Sequence, residues 1–519
     1  MKRTLAFFAL ILVICGFAFG AGQGGAEGTM GGPVKITVFQ GPGNYPVDPA
    51  TGLESAEALP GYKIIEERTN VDIEWYHPSD HYAELALRFA SDDLTDVLMV
   101  DPAFGGYQGG IQKAYNDGFI IALNEYLASG YAPTYQNLLN TVSDFRKGAI
   151  TDEGMFLGFT RYEPGFHERP YLGLMVRQDW LDAVNMDMPQ TLDDWYDTMK
   201  AWKRANLNGS GGPVFGGSQF LNDVALFAGA HGVVAEQDFM IDPVTGMIEF
   251  AKIQPEYKEL VEWYLKLIDE GLIEREGFIM DDNTFRALVL DNQYGVLGTY
   301  EDWFPRLNDA GQENNSDFSL VAAPWPKSKD GKRYGQRNFN LVTPGGWTAI
   351  NSDASDEVIR GAMRWVDFGF SQEGADLLNW GIEGESYEVD SRGNKRVIVP
   401  LEDLYKWGHG GAGSARLMDI QASFARYTDF NIEQTKVWAT DPDYSIFLPG
   451  RLTYTASETN RIAGLLTDIK TYANETIQQI LQGAQSIDVW DDYVAALRRL
   501  GVDEVTQITQ AAYDRYLKR

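Results

Sequence analysis

The chain has 519 residues, which is too long for one ordinary hydrophobic core and favours two or three domains. A hydrophobic fraction of 44%, with 27 Phe, 26 Tyr and 13 Trp, excludes a disordered or fibrous protein. The net charge of -31 repels phosphate backbones and anionic headgroups, so we expect no nucleic-acid partner.

Residues 1–20 have the layout of an export signal peptide. Lys2 and Arg3 form its basic region, and residues 5–14 form an uninterrupted apolar run. Residues 18–20 (AFG) provide the small-residue cleavage site. Because no later apolar run is long enough for a membrane helix, we expect an exported, periplasmic protein.

Residues 21–33 are rich in glycine and are interpreted as a flexible tether before the folded part. Cys15 allows an alternative to simple cleavage, in which the mature protein is anchored to the membrane through a lipid. Val13 and Ile14 precede this cysteine and make a poor lipobox, so cleavage without lipidation is favoured.

The folded part begins with a pattern that is typical of an α/β fold. Short β-rich runs at residues 34–39, 71–75 and 96–100 are separated by segments that can hold crossover helices. Ligands of open parallel sheets bind outside the carboxyl ends of the strands. The loops that follow the first and third strands therefore bring Gln40, Tyr45 and Asp101 to the rim of a crevice.

The rest of the chain is mostly helical in pattern. Thr191 and Asp194 predict a capping box at the start of a helix, where the Thr hydroxyl caps free N–H groups. Apolar residues at spacings of three and four predict further helices, and one β-like run interrupts them. The helices are expected at residues 257–269, 355–370, 457–481 and 491–517, and the strand at 341–351.

Motifs of known enzyme classes are missing from the sequence. It contains no nucleophile elbow, P-loop or HExxH motif. His77 and His81 have the spacing of a helical metal pair, but Pro78 indicates that His77 lies outside the helix, so we expect no zinc site. Carboxylates that suit a glycosidase occur at Glu301 and Glu383, but 74 acidic residues produce such pairs by chance.

Aromatic residues recur beside glycines and strand ends, and this pattern indicates a small-molecule cleft. A flat ring offers a rigid apolar face to a sugar, while neighbouring polar groups bond to its hydroxyls. Each ring alone is more often a core residue, and the recurrence favours a ligand role. The rings in question are Tyr300, Trp303, Trp347, Trp380 and Tyr387.

Several segments together resemble the family 1 extracellular solute-binding proteins of ABC transporters. The resemblance is closest to the large lipoprotein-type branch that includes alginate-oligosaccharide-binding proteins, and it extends from Val34 onward. Besides the export signal and the tether, the segments are residues 34–39 (VKITVF), 96–100 (DVLMV), 176–181 (VRQDWL), 189–195 (PQTLDDW) and 380–384 (WGIEG).

The resemblance implies two α/β lobes that close around a hinge, with a helix-rich C-terminal region. We place residues 34–170 and 341–395 in the N-terminal lobe, and residues 171–340 and 396–519 in the C-terminal lobe. The chain would cross between lobes near Tyr171, near Leu341 and between 387 and 400. Such a protein binds an oligosaccharide as a monomer and delivers it to the permease subunits of an ABC importer, and it needs no cofactor.

Ligand binding is expected to combine ring stacking with hydrogen bonds. A secreted enzyme with a carboxylate pair, and a binder of peptides or another non-sugar solute, remain alternatives. The negative net charge disfavours a polyanionic sugar unless Arg161, Arg169, Arg177 or Lys203 lies in the cleft. The expected ligand-binding residues are Trp303, Trp347, Tyr387, Trp380, Tyr300, Tyr45, Gln40, Asp101, Arg161, Glu301 and Glu383.

The loop at residues 206–213 departs from the family pattern. Relatives that resemble the alginate binders often carry a calcium loop at this place, with several carboxylates. This chain has the sequence NLNGSGGP, which keeps the turn-forming residues but contains no carboxylate. Calcium prefers several hard, charged oxygens, so we expect no structural calcium here.

Overall fold

The structure is a computed structural model, and Val34–Arg519 forms one compact unit in it. The predicted signal peptide, Cys15, most of the tether and Tyr45 lie outside the residues that the structure describes. The described residues are 32–41, 59–101, 104, 107–216, 224–301, 303–400, 415–425 and 427–519.

The described strands fall into two main sheets and three small two-stranded ones. They are β1 (Val34–Gln40), β2 (Val71–Tyr76), β3 (Val97–Val100), β4 (Phe159–Thr160), β5 (Leu172–Arg177), β6 (Phe239–Ile241), β7 (Ile248–Phe250), β8 (Val296–Tyr300), β9 (Leu320–Ala322), β10 (Arg333–Tyr334), β11 (Trp347–Ile350), β12 (Tyr387–Val389), β13 (Lys395–Val397) and β14 (Pro442–Asp443).

Helices cover both main sheets and form the last part of the chain. They are α1 (Pro60–Thr69), α2 (His81–Ser91), α3 (Gly110–Asn116), α4 (Asn124–Ala128), α5 (Pro133–Thr141), α6 (Ser143–Ala149), α7 (Gln178–Val184), α8 (Leu192–Ala205), α9 (Val224–Ala228), α10 (Pro255–Asp269), α11 (Asp282–Leu290), α12 (Trp303–Asn314), α13 (Asp356–Phe368), α14 (Gln372–Asn379), α15 (Ile420–Phe424), α16 (Asp429–Trp438), α17 (Ala456–Leu481), α18 (Trp490–Leu500) and α19 (Val502–Tyr516). Within the described part of the chain, no helix has the length and apolarity needed to cross a membrane.

The first lobe is built on a five-stranded sheet with the strand order β2-β1-β3-β11-β4. β1 pairs in parallel with β2 and β3, as the βαβ pattern predicts, whereas β11 enters antiparallel. The strand expected at 341–351 is shorter than predicted, because only Trp347–Ile350 is a strand. Pro344 lacks a backbone N–H for a ladder, so the pairing cannot begin earlier at this point.

The second lobe is built on a three-stranded antiparallel sheet with the order β8-β5-β9. Its core includes the apolar face of α8, where Trp195, Met199 and Trp202 are fully buried. The predicted capping box is present at the start of this helix, since Thr191 accepts from the Asp194 N–H and Asp194 accepts from the Thr191 N–H. Trp195 and Trp202 are therefore core residues of the second lobe.

One predicted helix differs in detail from the structure. The segment 491–517 contains two helices, α18 and α19, because Gly501 between them has a φ of 100°, which interrupts a right-handed helix. In α2, Leu85 and Phe89 are buried and Tyr82 is 52% exposed.

Within the described residues, the chain passes between the two main sheets in three places. The first lies between β4 and β5 and the second between β9 and β11. The third follows Leu417, because Ala415 and Leu417 still pack in the core of the first lobe, whereas Trp438 packs in the second. This is later in the chain than the crossing expected between 387 and 400. The proposed lobe boundaries stay a prediction.

Two glycines with opposite surroundings provide a test of this packing. A Cβ added to Gly173, in the central strand β5, would lie 2.2 Å from Cε2 of the buried Trp438. Gly464 lies within α17 and has nothing within 4 Å of an added Cβ. We expect Gly173→Ala to lower the free energy of unfolding by about 1–3 kcal/mol through overpacking. We expect Gly464→Ala to raise it by about 0.5–1 kcal/mol through helix propensity. Urea unfolding measures both, and equal effects would contradict the described packing.

Candidate functional site

One edge of the five-stranded sheet gathers several of the predicted site residues. Trp347, the first residue of β11, pairs with Val100 at the end of β3 and with Thr160 at the end of β4. Asp101 and Arg161 are the next residues after these strand ends, and Gln40 ends β1. The structure therefore brings Gln40, Asp101, Arg161 and Trp347 to one edge, as expected for the rim of a cleft in an open sheet.

A cavity of ≈ 420 Å³ lies beside this edge, and parts of both lobes line it. The first lobe contributes Trp347 and residues 108–112 at the start of α3. The second lobe contributes one face of α17 and, just before it, residues 450–454. A cavity of this size between two lobes is typical of a small-molecule site. We call it the inter-lobe cavity.

The polar groups of the inter-lobe cavity are mostly uncharged or cationic. Its lining includes Gln108, Gln112 and Tyr454, together with several threonines, and contains no Asp or Glu among the described residues. Thr459 is 5% exposed, and its hydroxyl has no hydrogen-bond partner within the described chain. Such a hydroxyl is available to a polyhydroxylated ligand.

Arg451 is the buried cation of the cavity, and it contacts Trp347. Its guanidinium carbon lies 3.9 Å from the centre of the Trp347 ring, and Nη2 donates to the Gly345 and Gly346 carbonyls. Burial, assisted by the charge of Arg161, lowers the pKa of Arg451 to about 9. Since Arg451 covers one face of the ring and Trp347 is 6% exposed, little of the indole remains for stacking.

One further cavity shares a lining residue with the inter-lobe cavity, and a third cavity shares one with the second. The second, of ≈ 360 Å³, shares Lys470 with the inter-lobe cavity and contains Asp238 and Lys252. The third, of ≈ 290 Å³, contains Tyr171 and shares Glu236 with the second.

Tyr300 and Glu301 lie at the end of β8 in a polar cluster of the second lobe. The Tyr300 ring stacks on Tyr171, with 5.9 Å between the ring centres. The Glu301 carboxylate accepts from Arg169 at 3.2 Å and from the Tyr427 hydroxyl. Burial, with the charge of Glu301 next, raises the pKa of Tyr427, so its hydroxyl stays protonated as a donor.

Trp303 begins α12, and cations flank its ring. The guanidinium carbon of Arg286 lies 3.4 Å from the ring centre and that of Arg306 lies 5.1 Å from it. Trp303 is not among the described residues that line the inter-lobe cavity. Its expected role as a stacking platform stays a prediction.

Trp380 and Tyr387 pack against each other in a small hydrophobic cluster with Ala422. They are 3% and 5% exposed, and the Trp380 indole N–H donates to Asp419. Glu383 lies on the exposed turn between them. The structure therefore groups these three residues away from the lining of the inter-lobe cavity, and their predicted ligand role stays untested.

The cations considered for an acidic ligand occupy different places. Arg177 is buried against Asp179 and Asn292, and Lys203 donates to the carbonyls of Glu270 and Gly271. Arg161 lies at the sheet edge and contacts Glu163, as Arg169 does. Arg451, which lines the cavity, was missed by the sequence analysis, since the adjacent Pro449-Gly450 indicates only a loop.

The loop at 206–212 does not fit calcium. Asn206 Oδ1 accepts from the Gly211 N–H at 2.7 Å, and Asn208 Oδ1 accepts from the N–H groups of Ser210 and Gly211. These amide oxygens are therefore used inside the loop, and Asn208 Nδ2 donates to the Pro213 carbonyl. In the described parts of the chain, no group of three or more His, Cys, Asp or Glu residues is arranged to hold a metal ion.

We expect calcium to leave the stability of the protein unchanged. If the loop bound calcium, a free calcium concentration of about 100 times the Kd would add about 2.7 kcal/mol to the free energy of unfolding. The loop offers no carboxylate and has its amide oxygens occupied, so melting temperatures in millimolar calcium and in EGTA should agree within about 1 °C. A rise of several degrees with calcium, absent with magnesium, would show that the loop binds the ion.

Comparison with known proteins found similar chains, although no model of a known protein family matches this one. It is 23% identical over 486 residues to the fructooligosaccharide ABC transporter substrate-binding protein FusA of Streptococcus pneumoniae serotype 4, which covers 87% of this chain and 86% of FusA.

Solved structures share the fold. The alginate-binding protein AlgQ2, solved without calcium ion, superposes with a TM-score of 0.74 at 20% identity, covering 93% of this chain and 99% of AlgQ2. FusA in complex with kestose superposes with a TM-score of 0.71, with the same identity and coverage. The predicted two-lobed solute-binding-protein fold is confirmed. The chain has this α/β fold and is a homologue of the substrate-binding proteins of ABC transporters.

Proposed function

We propose that the protein is the exported solute-binding component of an ABC importer. It captures an oligosaccharide in the inter-lobe cavity and delivers it, unchanged, to the permease subunits. The observation that carries this proposal is the cavity of ≈ 420 Å³ whose walls come from both lobes, at the carboxyl edge of the first-lobe sheet.

The lining of the cavity suits a sugar. Tyr454 and the apolar side chains of α17 offer apolar surface, while Gln108, Gln112 and the Thr459 hydroxyl offer donors and acceptors for sugar hydroxyls. Closure of the lobes would bury the sugar and create the surface that the permease recognises. The ligand shifts the equilibrium only by its greater affinity for the closed state.

The relatives support a saccharide as the ligand without deciding its charge. FusA is named for fructooligosaccharides, which are neutral, and AlgQ2 for alginate, which is a polyuronate. The charges of the cavity itself therefore have to distinguish between them.

We propose binding without turnover. Glu301, a candidate for a glycosidase carboxylate, is engaged by Arg169 and Tyr427, and Glu383 lies on an exposed turn. A glycosidase needs two carboxylates about 5–10 Å apart that flank the scissile bond. The lining of the inter-lobe cavity contains no carboxylate in the described part of the chain.

The test is a thermal-shift screen against neutral and acidic oligosaccharides, amino acids and short peptides, with product analysis of every hit. The proposal predicts that an oligosaccharide raises the melting temperature and is recovered intact. Cleavage of the sugar would show that the protein is an enzyme and would overturn the proposal. Stabilisation by peptides or amino acids alone would leave the fold assignment intact and overturn the sugar-binding proposal.

A further inference from the structure

The inter-lobe cavity carries a positive charge that no carboxylate in its lining balances. Arg451 is 8% exposed, and Nη2 uses its hydrogen bonds on the Gly345 and Gly346 carbonyls. Nη1 has no hydrogen-bond partner among the described residues. A buried charged donor without an acceptor costs free energy, so the site is complete only when an acceptor arrives with the ligand.

The carboxylates that contact Arg161 and Arg169 are already paired with these two cations. Glu163 contacts Arg161 at 3.4 Å and Arg169 at 3.6 Å. Glu301 also pairs with Arg169, at 3.2 Å. The Coulombic effect of Arg161 on Arg451 is repulsive and adds to the burial that lowers the pKa of Arg451. Two arginines therefore share this edge of the sheet, and the acids near them do not neutralise Arg451.

Lys470, the other cation in the lining, already has a carboxylate partner. Lys470 pairs with Asp238 at 3.0 Å, and Asp238 also contacts Lys252. Among the described residues of the lining, Arg451 is therefore the charged side chain that has no carboxylate partner. A guanidinium presents its donors in a planar fork that matches a carboxylate or sulfate better than a single hydroxyl.

We propose that the saccharide held in the inter-lobe cavity carries an anionic group, a carboxylate or a sulfate, that pairs with Nη1 of Arg451 beside the Trp347 ring. This inference rests on the proposed function and names the substrate class of that site. A neutral sugar would fill the same space but leave the charge of Arg451 desolvated and uncompensated when the lobes close.

The negative net charge of the protein does not oppose this assignment at contact distance. Long-range repulsion acts on the rate of encounter and is screened beyond about 8 Å at physiological salt. The buried pair with Arg451 is screened much less and acts on the rate of dissociation. A short anionic oligosaccharide therefore meets an attractive site within a repulsive surface.

The experiment compares matched ligands by calorimetry on the full chain. Trigalacturonate is measured against its methyl ester, a sulfated disaccharide against its unsulfated form, and kestose serves as a neutral trisaccharide. We expect at least one anionic ligand to bind at least about tenfold more tightly than its neutral counterpart. The pair that shows the difference identifies whether the group is a carboxylate or a sulfate.

Variants show whether Arg451 is the cause. Arg451→Gln should remove the difference in affinity within the discriminating pair, and Arg451→Lys should restore part of that difference. Lys436→Gln, which removes an exposed cation of α16, should change nothing. Melting temperatures verify that each variant folds.

Each outcome has a definite meaning. This inference is overturned if, in both pairs, the neutral ligand binds as tightly as its anionic counterpart or more tightly. It is also overturned if kestose is the one ligand that binds. Either result leaves the proposed function standing. Discrimination that survives in both Arg451 variants also overturns the inference. If no saccharide binds at all, the proposed function fails together with the inference.

Discussion

Replacing Ala463 by Trp is expected to abolish saccharide binding. Ala463 lies on the face of α17 that lines the inter-lobe cavity and is partly buried there. An indole at this position occupies space that the ligand needs, so we expect the affinity to fall by at least about 100-fold. Calorimetry with the saccharide found in the thermal-shift screen measures the effect.

Thr471→Trp is the matched control. Thr471 lies on the same helix, is exposed and is not in the lining of the three cavities described above. It should bind the saccharide as the unmodified protein does, and both variants should keep a helical fold. Unchanged affinity in Ala463→Trp would place the binding site elsewhere in the molecule.

Removing the Asp152 carboxylate is expected to have the largest effect on stability. Asp152 follows α6 of the first lobe, and Arg519 and Arg515 pair with it at 2.5 Å and 2.6 Å from the end of the second lobe. The side chains of Asp152 and Arg519 are 5% and 4% exposed. Asp152→Ala leaves a buried cation unpaired, and such a loss costs about 3–5 kcal/mol of unfolding free energy.

Urea unfolding of Asp152→Ala and Glu504→Ala separates this buried contact from ordinary surface pairing. Glu504 pairs with Arg461 at 2.6 Å on an exposed face of the second lobe. Solvent screens exposed ion pairs, so we expect little change from the loss of Glu504. If both variants unfold at the same urea concentration, the Asp152 contact does not join the lobes as described.

The architecture was largely predictable because each early element carries its own local signal. The strand at 34–39 alternates and is followed by turn residues, and the capping box at Thr191 marks a helix start regardless of tertiary context. The division at Gly501 was harder to predict, since a glycine within a helical pattern either is tolerated or ends the helix. Its φ of 100° shows which outcome this chain has.

The site was only partly predictable, because flanking glycines indicate a loop without indicating which surface the loop faces. Trp347 was expected to contact the ligand, and it does line the cavity, whereas Trp380 and Tyr387 pack on each other. Arg451 meets Trp347 across a separation of about 100 residues, and no local pattern reports a contact over such a distance. Its importance follows from the fold.

A crystal structure of the protein with the saccharide from the thermal-shift screen tests the proposed binding site most directly. We predict sugar rings between α3 and α17, in contact with Trp347, with an anionic group on the guanidinium of Arg451. Sugar bound outside the inter-lobe cavity would contradict the proposed site. Sugar inside the cavity with a neutral group at Arg451 would contradict the substrate class alone.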